Sequence, residues 1–256
     1  MSPAKNSDLK TLIVIPARLA STRLENKLLL AETGQPLIQH TYQAAAKSQL
    51  GDDILVAADD QQIVDVVKGF GGNAELTSTD HQSGTDRLAE IAERHTDVDL
   101  FINVQGDEPE IDPRDIDSAA RLLLDNPQAD MSTLATPLTD PERIADPACV
   151  KVVFDQQGRA LYFSRSPIPF TRENVQTGAN DMATFHQHVG LYVYRRKTLL
   201  ELTKTPRPIN EIAESLEQLR ALHLGKSILV GITPRTSCGI DTPRDYHAFV
   251  SRMASC

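Results

Sequence analysis

The sequence predicts an α/β fold: a mixed, mainly parallel sheet with helices on both faces and a β-rich insertion. Three observations predict it. Short apolar runs alternate with stretches of helical apolar spacing through the first half of the chain. Those runs are continuous rather than alternating, as in strands covered on both faces. After Asp130 the rhythm changes to strands joined by a tight turn. At 256 residues and 40% hydrophobic composition, one large core is expected rather than two independent ones.

Thr11–Ile15 (TLIVI) reads as a buried strand, and Pro36–Leu50 as an amphipathic helix with Leu37, Ile38, Tyr42 and Ala45 on one side. Asp53–Ala58 (DILVAA) is the next strand. Gln61–Phe70 is a helix on the spacing of Ile63, Val66, Val67 and Phe70, ended by Gly71-Gly72. Ala74–Thr77 is a short third strand, Thr85–Arg94 a helix capped by Ser83 or Thr85, and Leu100–Val104 (LFINV) a further buried strand. Met131–Leu138 and Val150–Phe154 are strands. Gln156–Arg159 is a turn leading to Ala160–Ser164, which predicts an antiparallel hairpin. Ser166–Thr184 is polar, proline-containing and aperiodic, and reads as an irregular arm. His188–Tyr194 (HVGLYVY) is a strand, Ser215–Leu224 a helix, Ile228–Ile232 the last strand and Thr242–Met253 a closing helix.

Composition excludes several classes. A net charge of −9 and a pI near 5.2 argue against a nucleic-acid binder. The absence of Trp weakens a stacking platform for single strands. Cys149, Cys238 and Cys256 are widely spaced and form no CxxC pair, so reduced thiols are expected rather than a zinc site or a disulfide framework. No apolar run spans a bilayer, and Leu12–Ile15 is too short for a signal-peptide core. A cytoplasmic protein without membrane contact is the expectation.

Four segments carry candidate chemistry. The first strand ends in Pro16-Ala17-Arg18-Leu19-Ala20-Ser21-Thr22-Arg23-Leu24-Glu25-Asn26-Lys27, three cations and two hydroxyls in one loop of an acidic protein. Ligands of parallel sheets sit beyond the carboxyl ends of strands, and phosphate oxygens seek fixed donors and cationic heads. Neither a Walker A nor a GxGxxG pattern is present, so phosphate cradle and solvated basic loop are equally compatible with this loop. At Gln105-Gly106-Asp107-Glu108 another strand ends; Gly106 permits close backbone approach, and Asp107 offers a hard oxygen ligand for Mg²⁺ or simply an ordinary turn. Asp241 precedes Thr242-Pro243, whose cap and first-turn proline explain a helix start without any function. His81-Gln82-Ser83-Gly84-Thr85-Asp86-Arg87 opens a helix, with a ligand approach at Gly84 and a bidentate fork at Arg87, or a capped surface helix as the plainer alternative. No second His stands at ligand spacing from His81.

Read together, IPARLASTRL, HQSGTDR with the following AE, NVQGDEP, ALYFSR, HVGLYVYR, ESLEQLR and GIDTP resemble, in order, the 3-deoxy-manno-octulosonate (Kdo) cytidylyltransferase family, also called CMP-Kdo synthetases. The resemblance runs from Leu12 to Val250. It implies a nucleotide-diphospho-sugar transferase fold of the glycosyltransferase-A type and a homodimer. It also implies the reaction of CTP with Kdo to CMP-Kdo and pyrophosphate, for lipopolysaccharide or related surface polysaccharide synthesis. Residues 1–130 would be the nucleotide-binding half of a single domain, and 131–256 the sugar-binding and dimerisation half. By the same resemblance Asp107 and Asp241 would bind Mg²⁺, and Arg18 and Lys27 would lie along the triphosphate. Pro16, Ala17, Ser83, Thr85, Arg87 and Gln105 would complete the nucleotide site. Gln105, Arg165, Arg172, His188, Tyr192, Glu217 and Gln218 would face the sugar acid.

The family pattern RLPGKPL stands here as Arg23-Leu24-Glu25-Asn26-Lys27-Leu28-Leu29. The lysine keeps its register, and Asn tolerates the left-handed conformation that Gly would supply. Loss of both prolines is expected to loosen the loop, and Glu25 to add negative charge near the phosphates. Three rivals stand beside this reading. They are a cytidylyltransferase for another ulosonic acid (sialic acid or an amino-Kdo), a non-catalytic sugar-nucleotide sensor, and a glycosyltransferase with a DxD metal motif. Asp97-Val98-Asp99 spells DxD but precedes its strand instead of following it.

Overall fold

Strand β1 (Thr11–Ala17) is buried nearly throughout, as its apolar run requires. The structure is a computed structural model that describes residues 8–21, 23–171, 185–235 and 239–254. A 3-10 turn at Lys27–Leu29 leads to α1 (Leu37–Ala45), which is shorter than its apolar spacing predicts. The reason is tertiary: Ser48 Oγ and the Gln49 and Leu50 amides donate to Asp117 Oδ1 at 2.6, 2.9 and 3.0 Å. Strand β2 (Asp53–Ala58) follows, then α2 (Gln61–Gly69) capped by Asp60, β3 (Ala74–Leu76), α3 (Gly84–Arg94) and β4 (Leu100–Asn103). Ser83 caps α3 in a reciprocal box with Asp86.

The sequence reading left 110–130 without an element, and the structure places α4 (Pro113–Asp125) there, with Asp112 as cap and Pro113 in the first turn. Strand β5 (Met131–Leu138), a short α5 (Pro141–Ala145), β6 (Lys151–Phe154) and β7 (Ala160–Ser164) come next. The β6–β7 pair is the predicted hairpin; Gly158 takes φ +77° in its turn. The Val230 amide donates to the Gly158 carbonyl at 2.8 Å, which ties that turn to the last strand. Most of the predicted arm lies outside the described residues. Strand β8 (Phe185–Arg195) then runs into α6 (Arg196–Lys204), which the sequence reading also missed.

The helix expected over Ser215–Leu224 is α8 (Gln218–His223); a further short helix that the sequence reading missed, α7 (Ile209–Glu214), precedes it and ends at Ser215 with φ 51°. Arg165 covers the end of α7: its Nε donates to the Glu214 carbonyl at 2.7 Å and its Nη2 to that of Ser215 at 3.3 Å, carbonyls that a helix end leaves free. Strand β9 (Ile228–Ile232) and α9 (Pro243–Met253), capped by Thr242, close the described fold.

The strands form one sheet in the order β3-β2-β1-β4-β8-β5-β9, with β6 and β7 beside β8. Along that path only the two pairings made by β8 are antiparallel; the others are parallel. On one face Ile13, Ile15, Ile102 and Val104 pack under α1, α2, α4 and α9. On the other, Leu12, Val14 and Phe101 pack with Tyr192 and Tyr194 under α3, α6 and α8. Chain order reverses between β1 and β4, so the loops that follow them open at a switch point, where α/β sheets bind ligands.

Candidate functional site

The loops after β1 and β4 meet at that switch point because Gly106 has no side chain. A Cβ there would stand 3.0 Å from the Pro16 carbonyl oxygen. Thr41 Oγ1 holds the Gly106 carbonyl at 2.9 Å, and Asp107 is thereby turned toward Lys27. Lys27 Nζ lies 2.5 Å from Asp107 Oδ2, 3.1 Å from Asp241 Oδ1 and 3.0 Å from the Ile240 carbonyl. The Ile240 amide in turn donates to the Asp107 carbonyl at 2.9 Å. One ammonium thus joins two carboxylates from segments 134 residues apart. The residue pattern alone favours Asp241 as a turn residue before α9, and its amide does face Asp245 Oδ2 at 3.3 Å; its carboxylate nonetheless also meets Lys27. Arg23 Nη2 lies 2.9 Å from the same Asp241 oxygen.

These groups border a cavity of about 360 Å³ lined also by Pro16, Arg18, Arg87 and Gln105. Arg87 is fully buried. Its Nη1 donates to Thr77 Oγ1 and the Ser78 carbonyl, and Nη2 stands 3.6 Å from Asp59, while Nε and Nη2 make no hydrogen bond among the described residues. Burial lowers its pKa from the ordinary arginine value, against the pull of Asp59. Arg18 donates to the His81 carbonyl at 2.8 Å. Ala17 is buried in the core and Ser83 is engaged as the α3 cap, so these two shape the site from behind.

Asn26 adopts φ 49°, ψ 32°, the left-handed conformation expected of it, and its carbonyl accepts the Leu29 amide at 2.8 Å. Leu28 is buried in the main core. Glu25 does not line the Lys27 cavity itself but an adjoining groove, with Asp59, Asp60 and His81, that shares Arg18, Ala20 and Ser21 with it. Asp97 and Asp99 bind Lys10 at the opposite end of β4, away from the site.

Beyond Gln105 the first cavity continues into a second of about 220 Å³, which brings together Thr85, Gln105, Tyr192, Glu217 and Gln218. Thr85 Oγ1 donates to Glu217 Oε2 at 2.5 Å. The Ser215 break sets Glu217 and Gln218 at the start of α8, on the cavity wall. Burial raises the phenols of Tyr192 and Tyr194 above their ordinary value. His188 stands outside the lining: its ring packs on Phe163 and Tyr192, its Nε2 is 3.1 Å from Thr133 Oγ1, and desolvation pushes its imidazole down to about 3. Arg165 is engaged with backbone carbonyls, including that of Pro147 at 3.0 Å, and does not line the cavity. Arg172 lies outside the described residues. Sequence reasoning passed over Asn103 and Tyr194, both on the second cavity's wall; Tyr194 is two positions along β8 from Tyr192, the repeat that returns a side chain to the same face, and Asn103 closes the strand that leads to Gln105.

Among the described residues no cluster of three or more His, Cys, Asp or Glu is present, and no helix is long and apolar enough to cross a membrane. Cys149 is buried and free.

Comparison with known proteins places these features in a family. A family model described as cytidylyltransferase matches residues 12–228. A 3-deoxy-manno-octulosonate cytidylyltransferase of Rhodopirellula baltica is 48% identical over 96% of this chain and all of its own length. One from Geobacter sulfurreducens is 45% identical over 94% of this chain and 98% of its own. A solved structure of CMP:2-keto-3-deoxy-manno-octonic acid synthetase complexed with CTP superposes with a TM-score of 0.90 at 41% identity, over 96% of this chain and 99% of that one. A 4-diphosphocytidyl-2C-methyl-D-erythritol synthase from Anaerococcus prevotii shares the fold alone, with a TM-score of 0.64 at 12% identity over 96% of this chain and 99% of that one.

Proposed function

We propose that this chain, which belongs to the 3-deoxy-manno-octulosonate cytidylyltransferase family, transfers the cytidylyl group of CTP to Kdo, giving CMP-Kdo and pyrophosphate. The observation that carries the reading is the Lys27 ammonium joining Asp107 and Asp241 on the wall of a cavity that Arg18, Arg23 and Arg87 also line.

In this reaction the anomeric hydroxyl of the sugar acid attacks the α-phosphorus as pyrophosphate leaves. Both reactants are anionic, so neutralising charge and holding the reactants in line are the main tasks. The first cavity fits the triphosphate, with Arg18 and Lys27 stabilising the charge that develops on pyrophosphate and buried Arg87, whose Nε makes no hydrogen bond among the described residues, adding a further cation on the wall. The second fits the sugar acid, with Gln105 on the wall common to both. No covalent nucleophile is required.

Magnesium belongs to the same proposal. Two carboxylates already converge on one positive charge, and their hard oxygens suit that ion. Asp107 and Asp241 would hold Mg²⁺, which when bound neutralises phosphate charge and makes a coordinated hydroxyl more acidic. Division of labour between the β1–β4 half and the remainder, a homodimer and a cytoplasmic location complete the reading.

The test is pyrophosphate release from CTP, with Mg²⁺ or with chelator, comparing Kdo, sialic acid and no acceptor. Release that needs both Kdo and Mg²⁺ is expected. Preference for sialic acid would reassign the acceptor, and no release with any ulosonic acid would overturn the enzyme reading.

A further inference from the structure

Residue Asn103 closes β4, and the two-residue repeat of a strand sends its side chain to the face of Phe101 while Ile102 and Val104 enter the opposite core. There it lines the second cavity. It is 3% exposed, and its Oδ1 is buried with no hydrogen-bond partner among the described residues. Directly across the antiparallel ladder stands Tyr192, 8% exposed, whose hydroxyl is also buried without a partner. Folded chains rarely leave a buried acceptor unpaired, because desolvation is then uncompensated. Here two such atoms occupy adjoining ladder positions on the wall of one cavity. Their neighbour Thr85 is already engaged, donating to Glu217.

We propose that Asn103 is a specificity-determining residue for the sugar acid, its Oδ1 accepting a hydrogen bond from one hydroxyl of the bound polyhydroxylated ligand beside the Tyr192 hydroxyl. The inference rests on the cytidylyltransferase reading above and adds to it the group that reads a neutral hydroxyl, as distinct from the cations that read phosphate. A buried amide oxygen rejects a ligand that presents hydrogen there, because the oxygen then stays unpaired. It does nothing for CTP, which occupies the other cavity.

The test compares wild type with Asn103→Leu, close in size and apolar, on Kdo and its 4-, 5-, 7- and 8-deoxy analogues. Wild type is expected to lose roughly 10- to 100-fold in kcat/KM on one analogue. Asn103→Leu is expected to fall by a similar factor on Kdo, to treat Kdo and that analogue alike, and to keep its KM for CTP within about two-fold. A thermal shift on adding CTP confirms that the variant folds; if it does not, Asn103→Ala removes the amide without added bulk and carries the same comparison. Wild-type kcat/KM on Kdo in the variant, retained discrimination against every analogue, or parallel losses for CTP and Kdo would each overturn the role. Absence of wild-type turnover with any ulosonic acid would instead overturn the parent reading, visible before any variant is compared.

Discussion

Lys27 is the residue on which the site turns. Its side chain is largely buried, 14% exposed, between two carboxylates that differ in cover, Asp107 at 26% and Asp241 at 42%. Removing one carboxylate charge leaves the scaffold in place, because the segments are held independently by the Ile240 to Asp107 backbone bond and by the Thr242–Asp245 capping box. Asp107→Asn and Asp241→Asn are therefore each expected to lower kcat by roughly 1,000-fold or more with little change in melting temperature. Turnover and calorimetry on the same preparations check this; near-normal turnover in either variant removes that aspartate from the proposed metal site. Asn26 shows the same economy at a neighbouring position. Its left-handed backbone is one that glycine also adopts without strain, and the turn it makes leads into the Lys27–Leu29 helical turn.

Among elements, the α7–α8 corner depends most on distant residues. Arg165 comes from the end of β7, yet its guanidinium covers the end of α7, and the Glu214 carboxylate answers by accepting Ser164 Oγ at 2.6 Å and the Arg165 amide at 2.9 Å. Arg165→Ala should free that corner and displace Glu217 and Gln218, raising KM for the sugar acid about 10- to 100-fold while KM for CTP stays near wild type. Equal effects on both substrates would show a global rather than a local role. This corner also marks where sequence reading stops. The buried strands and α3, α9 and the hairpin carry their own caps, turns and apolar runs, and they were legible from those. The boundary at Ser215 agrees with the predicted helix start, whereas α7 is six residues long with Glu211 as its one buried residue, and offers no apolar stripe to read. The stripe that α4 buries is Ile116, Ala119, Ala120 and Leu123, half alanine, and gives a thin apolar signal. In the site, the loop cations stand out by charge and position, while Asp241 is selected only through the family resemblance. Asn103 does not stand out, because an amide at a strand end is polar in an unremarkable way until its burial is known.

At the scale of the whole molecule, two groups outside the Lys27 cavity contribute to the response to acid. The His188 imidazole is desolvated from an ordinary 6.5 to about 3, so between those values the unfolded chain takes up the proton and the folded one does not. Its contribution to stability is complete above 6.5 and declines as pH falls toward 3. Asp112, hydrogen-bonded by Arg114, is held at about 2 against 3.8; its contribution is present above 3.8 and lost as pH falls toward 2. The melting temperature should thus be level near neutrality and begin to drop below about pH 6, and His188→Gln should flatten the upper part of that decline. Calorimetry from pH 7 to 4 checks it; an unchanged slope in the variant would acquit His188. The hairpin turn tied to β9 has a consequence of another kind. An outermost strand offers unpaired backbone groups to any passing chain, the route by which sheets recruit one another into aggregates. Here the Gly158 carbonyl and the Arg159–Leu229 bridge occupy part of that row on β9, while the opposite border, β3, is only three residues long. Both margins of the sheet are therefore poor templates, and the chain is protected from self-recruitment by its own insertion.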